Sequence, residues 1–130
     1  MTDQVIVTAG SRRADPSAGW TVPHAWTPEG VVVEAEGTGA HVLHLSVALC
    51  VLNDTFREGE SLGVPLAGVR VTAQGGFDTE RWVSTGISYA VEVDSQAADD
   101  ALAKLLDRVD EVAEIPRVLR AGMTVERSDG

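Results

Sequence analysis

The sequence predicts an α+β domain with a mostly antiparallel sheet. Three observations indicate this class: short segments of β-branched or alternating apolar residues, two longer segments with helical spacing, and an order in which strands and helices do not strictly alternate. Strict alternation would instead favour a parallel sheet. The predicted order is β-β-α-β-β-α-β, and a chain of 130 residues is expected to form a single domain over residues 1–130.

Each predicted strand has its own signal. Residues 4–9 and 31–36 are β-branched runs, and residues 66–74 and 86–93 alternate apolar and polar side chains. The segment between the first two strands, residues 10–28, contains three prolines and is expected to be irregular. A last strand is expected around Met123 and Val125.

Two helices account for the remaining segments. Residues 41–61 predict a long central helix whose first half is apolar on nearly all sides and therefore buried, and whose second half is polar and faces water. A second, amphipathic helix ends before Pro116, and Asp94 and Ser95 are suitable residues for its N-cap. Its apolar positions have helical spacing: Ala98, Leu102, Leu105, Leu106, Val109 and Val112.

Composition excludes several functions. The formal net charge of -10 argues against binding to nucleic acid or to an anionic membrane, because both depend on basic surfaces. The most apolar stretch, residues 42–52, is much shorter than the roughly twenty residues that a membrane span needs. The N-terminus has no pattern of a signal peptide, so a soluble, cytoplasmic protein is expected. Residues 37–39 and 75–76 lack the phosphate-binding fingerprints, and no cofactor is predicted.

Cys50 is the only cysteine, which excludes an intramolecular disulfide. It is either a small buried apolar residue or a reactive thiol, and the second interpretation needs a cation or a helix N-terminus beside the thiolate. Cys50 lies about nine residues into the predicted helix, too far for the helix dipole to act. On the same helix face, Asp54 would raise the thiol pKa if close, and Arg57 either approaches the sulfur or is solvated.

A metal site is not predicted. His41 and His44 have an i, i+3 spacing that a metal site could use, but no cysteine or second-turn carboxylate completes the ligand set.

Residues 37–71, GTGAHVLHLSVALCVLNDTFREGESLGVPLAGVRV, resemble the central region of the OsmC/Ohr superfamily. In that family, a Gly/Thr-rich approach leads into a long buried helix carrying a cysteine, followed by a Leu-x-Gly-Val strand. The similarity continues through a hairpin and an amphipathic helix to residues 114–119, EIPRVL, where the family typically has Cys-Pro-Val-Ser-x-x-Leu. Element order and spacing match from about residue 30 to the end.

The resemblance implies an intertwined homodimer with the long helices buried at its core. Active members are thiol peroxidases that reduce organic hydroperoxides with one cysteine and resolve the sulfenic acid with a second. Cys50 matches the first cysteine, and Ile115 stands where the second would be. The family's Pro-Glu at the helix start aligns with residues 39–40, which lack the carboxylate. The activating arginine matches Arg12 or Arg13.

Three hypotheses about function follow. In the first, Cys50 reduces organic hydroperoxides, Arg12 lowers its pKa, and an external thiol resolves the sulfenic acid. In the second, the chain is a non-catalytic OsmC-like dimer that binds a small apolar molecule. The third drops the resemblance and leaves a small α+β domain with another role.

Overall fold

The computed structural model describes residues 3–129, which form one six-stranded sheet with three helices. The strands lie in the order β2-β3-β1-β4-β5-β6, and every neighbouring pair is antiparallel except β5 and β6. The mostly antiparallel α+β class is therefore confirmed. The strands are β1 (Asp3–Gly10), β2 (Trp20–Val22), β3 (Val31–Glu34), β4 (Gly68–Phe77), β5 (Ser84–Asp94) and β6 (Val125–Arg127), and the helices are α1 (Gly39–Leu62), α2 (Asp99–Val112) and α3 (Glu114–Leu119).

Helix α1 has a defined signal at each end. Thr38 is its N-cap, and the Thr38 hydroxyl accepts a hydrogen bond from the backbone N–H of His41 at 3.1 Å. At the other end, Gly63 has a φ of 70°, a left-handed conformation that glycine adopts without strain. The helix therefore runs two residues earlier and one residue later than the predicted 41–61.

One face of the sheet packs against α1. The register places Val7, Val33, Val71 and Val91 side by side across four strands, and α1 contributes Val47, Val51 and Leu52 to the same core. Because alternate strand residues point to opposite faces, the β-branched runs supply this apolar layer directly.

The second half of α1 differs from its prediction. Asp54, expected to face water, is only 1% exposed, and Thr55 and Phe56 are also buried. The helix continues across the sheet after the apolar run ends, so these residues remain covered.

Three further predictions were wrong in detail. The segment expected to be irregular contains strand β2 and one 3₁₀ turn, Pro16–Ala18. Helix α2 has Ala98 as its N-cap, because Asp94 instead accepts a hydrogen bond from Ser11 and Ser95 donates one to the carbonyl of Pro65. The second helix ends before Pro116, as predicted, but the predicted order has no helix after it, whereas the chain forms α3 with Pro116 in its first turn, where no intrahelical N–H bond is lost.

Arg120 fixes α3 against its neighbours. Its guanidinium donates to the Asp110 carboxylate on α2 at 2.9 Å and to the carbonyl of Val125 on β6 at 2.9 Å. Tyr89 on β5 also donates to Asp110. These contacts tie the C-terminal end of α3 to α2 and β6.

Gly75 allows α1 and β5 to approach β4 closely. A Cβ at this position would lie 2.5 Å from the Gly86 carbonyl oxygen and 2.8 Å from Nε2 of His44. We expect Gly75→Ala to destabilise the fold by about 1–3 kcal/mol, the usual cost of overpacking, measured by urea unfolding. Gly39→Ala is the matched control, since nothing lies within 4 Å of a Cβ there, and equal losses in the two variants would contradict the steric explanation.

None of the helices within residues 3–129 is long and apolar enough to cross a membrane.

Candidate functional site

Cys50 lies midway along α1, half-buried beneath the start of α3. Its thiol lies 3.1 Å from Oε2 of Glu114 and 3.7 Å from Oδ2 of Asp54, and the two carboxylates accept from it. Asp54 is one helical turn further along α1, so the i+4 spacing brings it to the sulfur. Glu114 is 64 residues away in sequence and arrives through the packing of α3.

The surroundings of Cys50 favour the neutral thiol. The pKa of the Cys50 thiol is raised to about 12, chiefly by burial and in addition by the hydrogen bond to Glu114 and the negative charges of Asp54 and Glu114. The backbone N–H of Ile115 is the group that acts in the opposite direction, since a hydrogen bond to the sulfur lowers the thiol pKa. The site therefore holds a protonated cysteine.

Arg57 neutralises the two carboxylates without contacting the sulfur. Its Nη1 lies 3.1 Å from Oδ1 of Asp54 and 3.1 Å from Oε1 of Glu114, and its Nε lies 3.1 Å from Glu58. The Arg57 side chain is 37% exposed, so it is not fully solvated, and the side-chain hydrogen bonds of Cys50 within the described residues go to Asp54 and Glu114 instead. Its charge is shared among carboxylates, which leaves the thiol without a direct cationic partner from Arg57.

The carboxylates respond to these contacts in different ways. The hydrogen bond from Cys50, supported by Arg57, lowers the pKa of Glu114. Burial raises the pKa of Asp54, although Asn53 and Arg57 act against that increase. Glu114 is thus the acceptor that stays ionised beside the thiol.

Arg12 occupies the turn that follows β1, where its side chain is exposed. The turn is held by a 2.8 Å hydrogen bond from the Ser11 N–H to the Ala67 carbonyl. In the described part of this single chain, neither Arg12 nor Arg13 forms a side-chain hydrogen bond or ion pair with Cys50. The role of Arg12 as the activating arginine stays a prediction.

The structure places Ile115 next to Cys50, where the resemblance puts a second cysteine. Gly39 and Ala40 form the first turn of α1, which carries no acidic residue. His41 is engaged elsewhere: its Nδ1 pairs with the Thr38 hydroxyl at 2.6 Å, and its Nε2 lies 3.2 Å from Glu36. It therefore does not replace the missing helix-start carboxylate.

Glu114 is the site residue that sequence reasoning missed. It belongs to the quoted segment 114–119, but no role was assigned to it because it has no helical spacing relation to Cys50. Its position in the sequence was the available signal. If Ile115 occupies the place of the family's second cysteine, then Glu114, the residue before it, must also lie near Cys50.

The side chains of Cys50, Asp54 and Glu114 lie close enough together to bind one cation. Within residues 3–129, Cys50, Asp54 and Glu114 place one donor atom each within 4.8 Å of one another. Arg57 already pairs with both carboxylates, and a metal ion would have to compete with that guanidinium. Neither His41 nor His44 belongs to this cluster.

Residues 34–128 match the family model described as OsmC-like protein, which is well over half of the chain. The chain therefore belongs to the OsmC-like family, and the membership inferred from residues 37–71 and 114–119 is confirmed. No curated protein matches the sequence.

Solved structures share the fold at low sequence identity. The OsmC-like protein from Mycoplasma pneumoniae is 13% identical with a TM-score of 0.65, covering 80% of this chain and 84% of that one. An organic hydroperoxide resistance protein OsmC from Legionella pneumophila is 16% identical with a TM-score of 0.59, covering 85% and 79%. A hypothetical protein from Aquifex aeolicus is 10% identical with a TM-score of 0.63, covering 100% and 93%.

Proposed function

We propose that this chain is a non-catalytic OsmC-like protein, a cytoplasmic homodimer that binds a small apolar molecule. The observation that carries the proposal is the pair of carboxylates on the Cys50 thiol. A peroxidatic cysteine must be a thiolate, and with a pKa of about 12 only about one thiol in a hundred thousand is ionised at pH 7.

The residues missing from the family pattern support the same conclusion. Ile115 offers no thiol to resolve a sulfenic acid, and the first turn of α1 offers no carboxylate to hold an activating arginine. Within the described chain, the acidic groups that surround Cys50 oppose the thiolate.

A cavity with largely apolar walls supports the binding role. It has a volume of about 350 Å³ and lies between the first turn of α1 and the tip of the β4–β5 hairpin. Small-molecule sites typically begin at roughly 300 Å³. Its walls are formed by Asp3, Ala40, Phe77, Thr79 and Trp82.

The reactivity of Cys50 tests the non-catalytic assignment. After treatment with cumene hydroperoxide at pH 7.4 in the presence of dimedone, we expect no sulfenic acid adduct on Cys50 by mass spectrometry, because the thiol is neutral. Cys50→Ser is the control for adducts elsewhere. Rapid, stoichiometric labelling of Cys50 would contradict the proposal.

Binding of the apolar ligand has a separate test. N-phenyl-1-naphthylamine should gain fluorescence with the wild-type protein, and Trp82→Ser should weaken that binding because Trp82 lines the cavity. Trp20→Ser is the matched control, because Trp20 is an exposed tryptophan on β2 that does not line this cavity. Equal binding by the two variants would rule out this cavity.

A second candidate, a one-cysteine hydroperoxide reductase, is favoured by the amide of Ile115 and by the acceptor position of Glu114. Cys50 sulfur would attack the terminal peroxide oxygen and the O–O bond would break. The cysteine becomes sulfenic acid, and the alkoxide leaves as the alcohol after taking the thiol proton through Glu114. One external thiol would then condense with the sulfenic acid to a mixed disulfide, releasing water, and a second thiol would reduce that disulfide and regenerate Cys50. This reaction requires a cation that outweighs both carboxylates, the role assigned to Arg12.

A further inference from the structure

A second cavity lies on a different side of α1 from Cys50. It has a volume of about 400 Å³ and opens between the second half of α1, the segment before β3 and the connection from α1 to β4. Phe56 is six residues beyond Cys50, which places it about 120° around the helix. The cavity is lined by Gly10, Trp26, Thr27, Pro28, Glu29, Phe56, Glu60, Val64, Pro65, Leu66 and Ala67.

Two aromatic rings form part of its wall. Trp26 is 37% exposed, so a face or edge of the indole is available to a ligand, whereas Phe56 is buried. The Phe56 ring is held by an edge-on contact with His24, whose centroid lies 5.5 Å away. His24 is itself held by Thr27 through a 2.9 Å hydrogen bond to Nδ1. The Phe56 side of the wall is therefore held in place before a ligand arrives.

The charged residues of the cavity are all acidic. Glu29 and Glu60 both line it, both are exposed, and neither pairs with a cationic side chain within residues 3–129. No arginine, lysine or histidine is among the lining residues. The net charge of -10 adds a favourable field for cations over the whole surface.

We propose that this cavity binds an organic cation, an ammonium group carried on a small apolar body. Trp26 offers an accessible indole ring, whose π-face attracts ammonium groups, Phe56 adds to the aromatic wall, and Glu29 and Glu60 supply the counter-charge. The apolar walls from Val64 to Ala67 accommodate the body of the ligand. The site uses neither Cys50 nor the cavity at Trp82. Binding of an organic cation here therefore does not depend on the proposed function.

The fluorescence of Trp26 reports ligand binding in this test. The chain has three tryptophans, and replacing the other two, Trp20→Phe and Trp82→Phe, leaves Trp26 alone. Titration with benzyltrimethylammonium should then give a saturable change in Trp26 emission. The uncharged analogue, in which carbon replaces the nitrogen, should bind at least about threefold more weakly, since cation–π attraction is lost.

Glu29→Gln/Glu60→Gln should weaken binding of benzyltrimethylammonium about tenfold through loss of the counter-charge. The matched control is Glu80→Gln/Glu111→Gln, which removes the same two charges from exposed positions that do not line the cavity. Circular dichroism checks that each variant is folded. Three results would each overturn the proposal: no saturable change, equal affinity for the charged and uncharged compounds, or equal weakening by the two pairs of substitutions.

Discussion

Replacing both carboxylates beside Cys50 by amides, Asp54→Asn with Glu114→Gln, is expected to make the thiol markedly more reactive. Both negative charges raise the thiol pKa, so their removal lowers it from about 12 while burial remains. Each unit by which the pKa falls raises the thiolate fraction, and hence the rate of alkylation by iodoacetamide at pH 8, about tenfold.

The control for this experiment must remove charge without touching the thiol. Glu80→Gln/Glu111→Gln changes the net charge equally at exposed positions and should leave the alkylation rate unchanged. The pH dependence of alkylation gives the pKa directly in each protein. If the amide variant reacts no faster than the wild type, the carboxylates do not control Cys50, and burial alone explains its thiol pKa.

Leu52→Ala is expected to cost about 2–5 kcal/mol of unfolding free energy, measured by urea denaturation. Leu52 is fully buried where α1 packs on the sheet, and truncation leaves a cavity that the surrounding β-branched side chains cannot fill. The loss is large against the total stability of a domain of this size.

Leu62→Ala provides the matched control on the same helix. Leu62 is 50% exposed at the last turn of α1, and alanine forms helix at least as well as leucine, so a change within about 0.5 kcal/mol is expected. Similar losses in the two variants would contradict the placement of Leu52 in the core.

Much of the fold could be predicted because its signals are local. The β-branched and alternating runs became strands, and the apolar run with Thr38 before it and Gly63 after it became α1. The short elements were missed because they carry no such local signal. The three residues of β2 are extended because they pair with β3, which supplies their hydrogen bonds. Their own sequence carries little signal for a strand.

Helix capping shows how tertiary contacts override local preference. Asp94 and Ser95 have the right chemistry to cap α2, yet their side chains bind Ser11 and the Pro65 carbonyl across the sheet end. The helix starts later, at Asp99, with Ala98 as an N-cap that offers no side-chain hydrogen bond. A residue's capping preference is worth about 1 kcal/mol, which a competing hydrogen bond can match.

In the candidate site, too, some contacts follow from the sequence and others only from tertiary packing. Asp54 could be placed beside Cys50 from the i+4 spacing alone, because helix geometry fixes that neighbour. The position of Arg57 was left open because the sequence did not reveal the carboxylates that hold it. Its partner Glu114 belongs to another helix, and only the packing of α3 on α1 joins them.

The sequence by itself determined the α+β class, the central helix, the family and the single thiol at Cys50, since each depends on local pattern or on residue identity. Only the tertiary structure decided that this thiol faces two carboxylates and that Arg57 is occupied by both. It also decided that Glu29, Phe56 and Leu66 meet around one cavity. Those contacts join distant segments, and their energies depend on distance and burial, which exist only once the chain has folded.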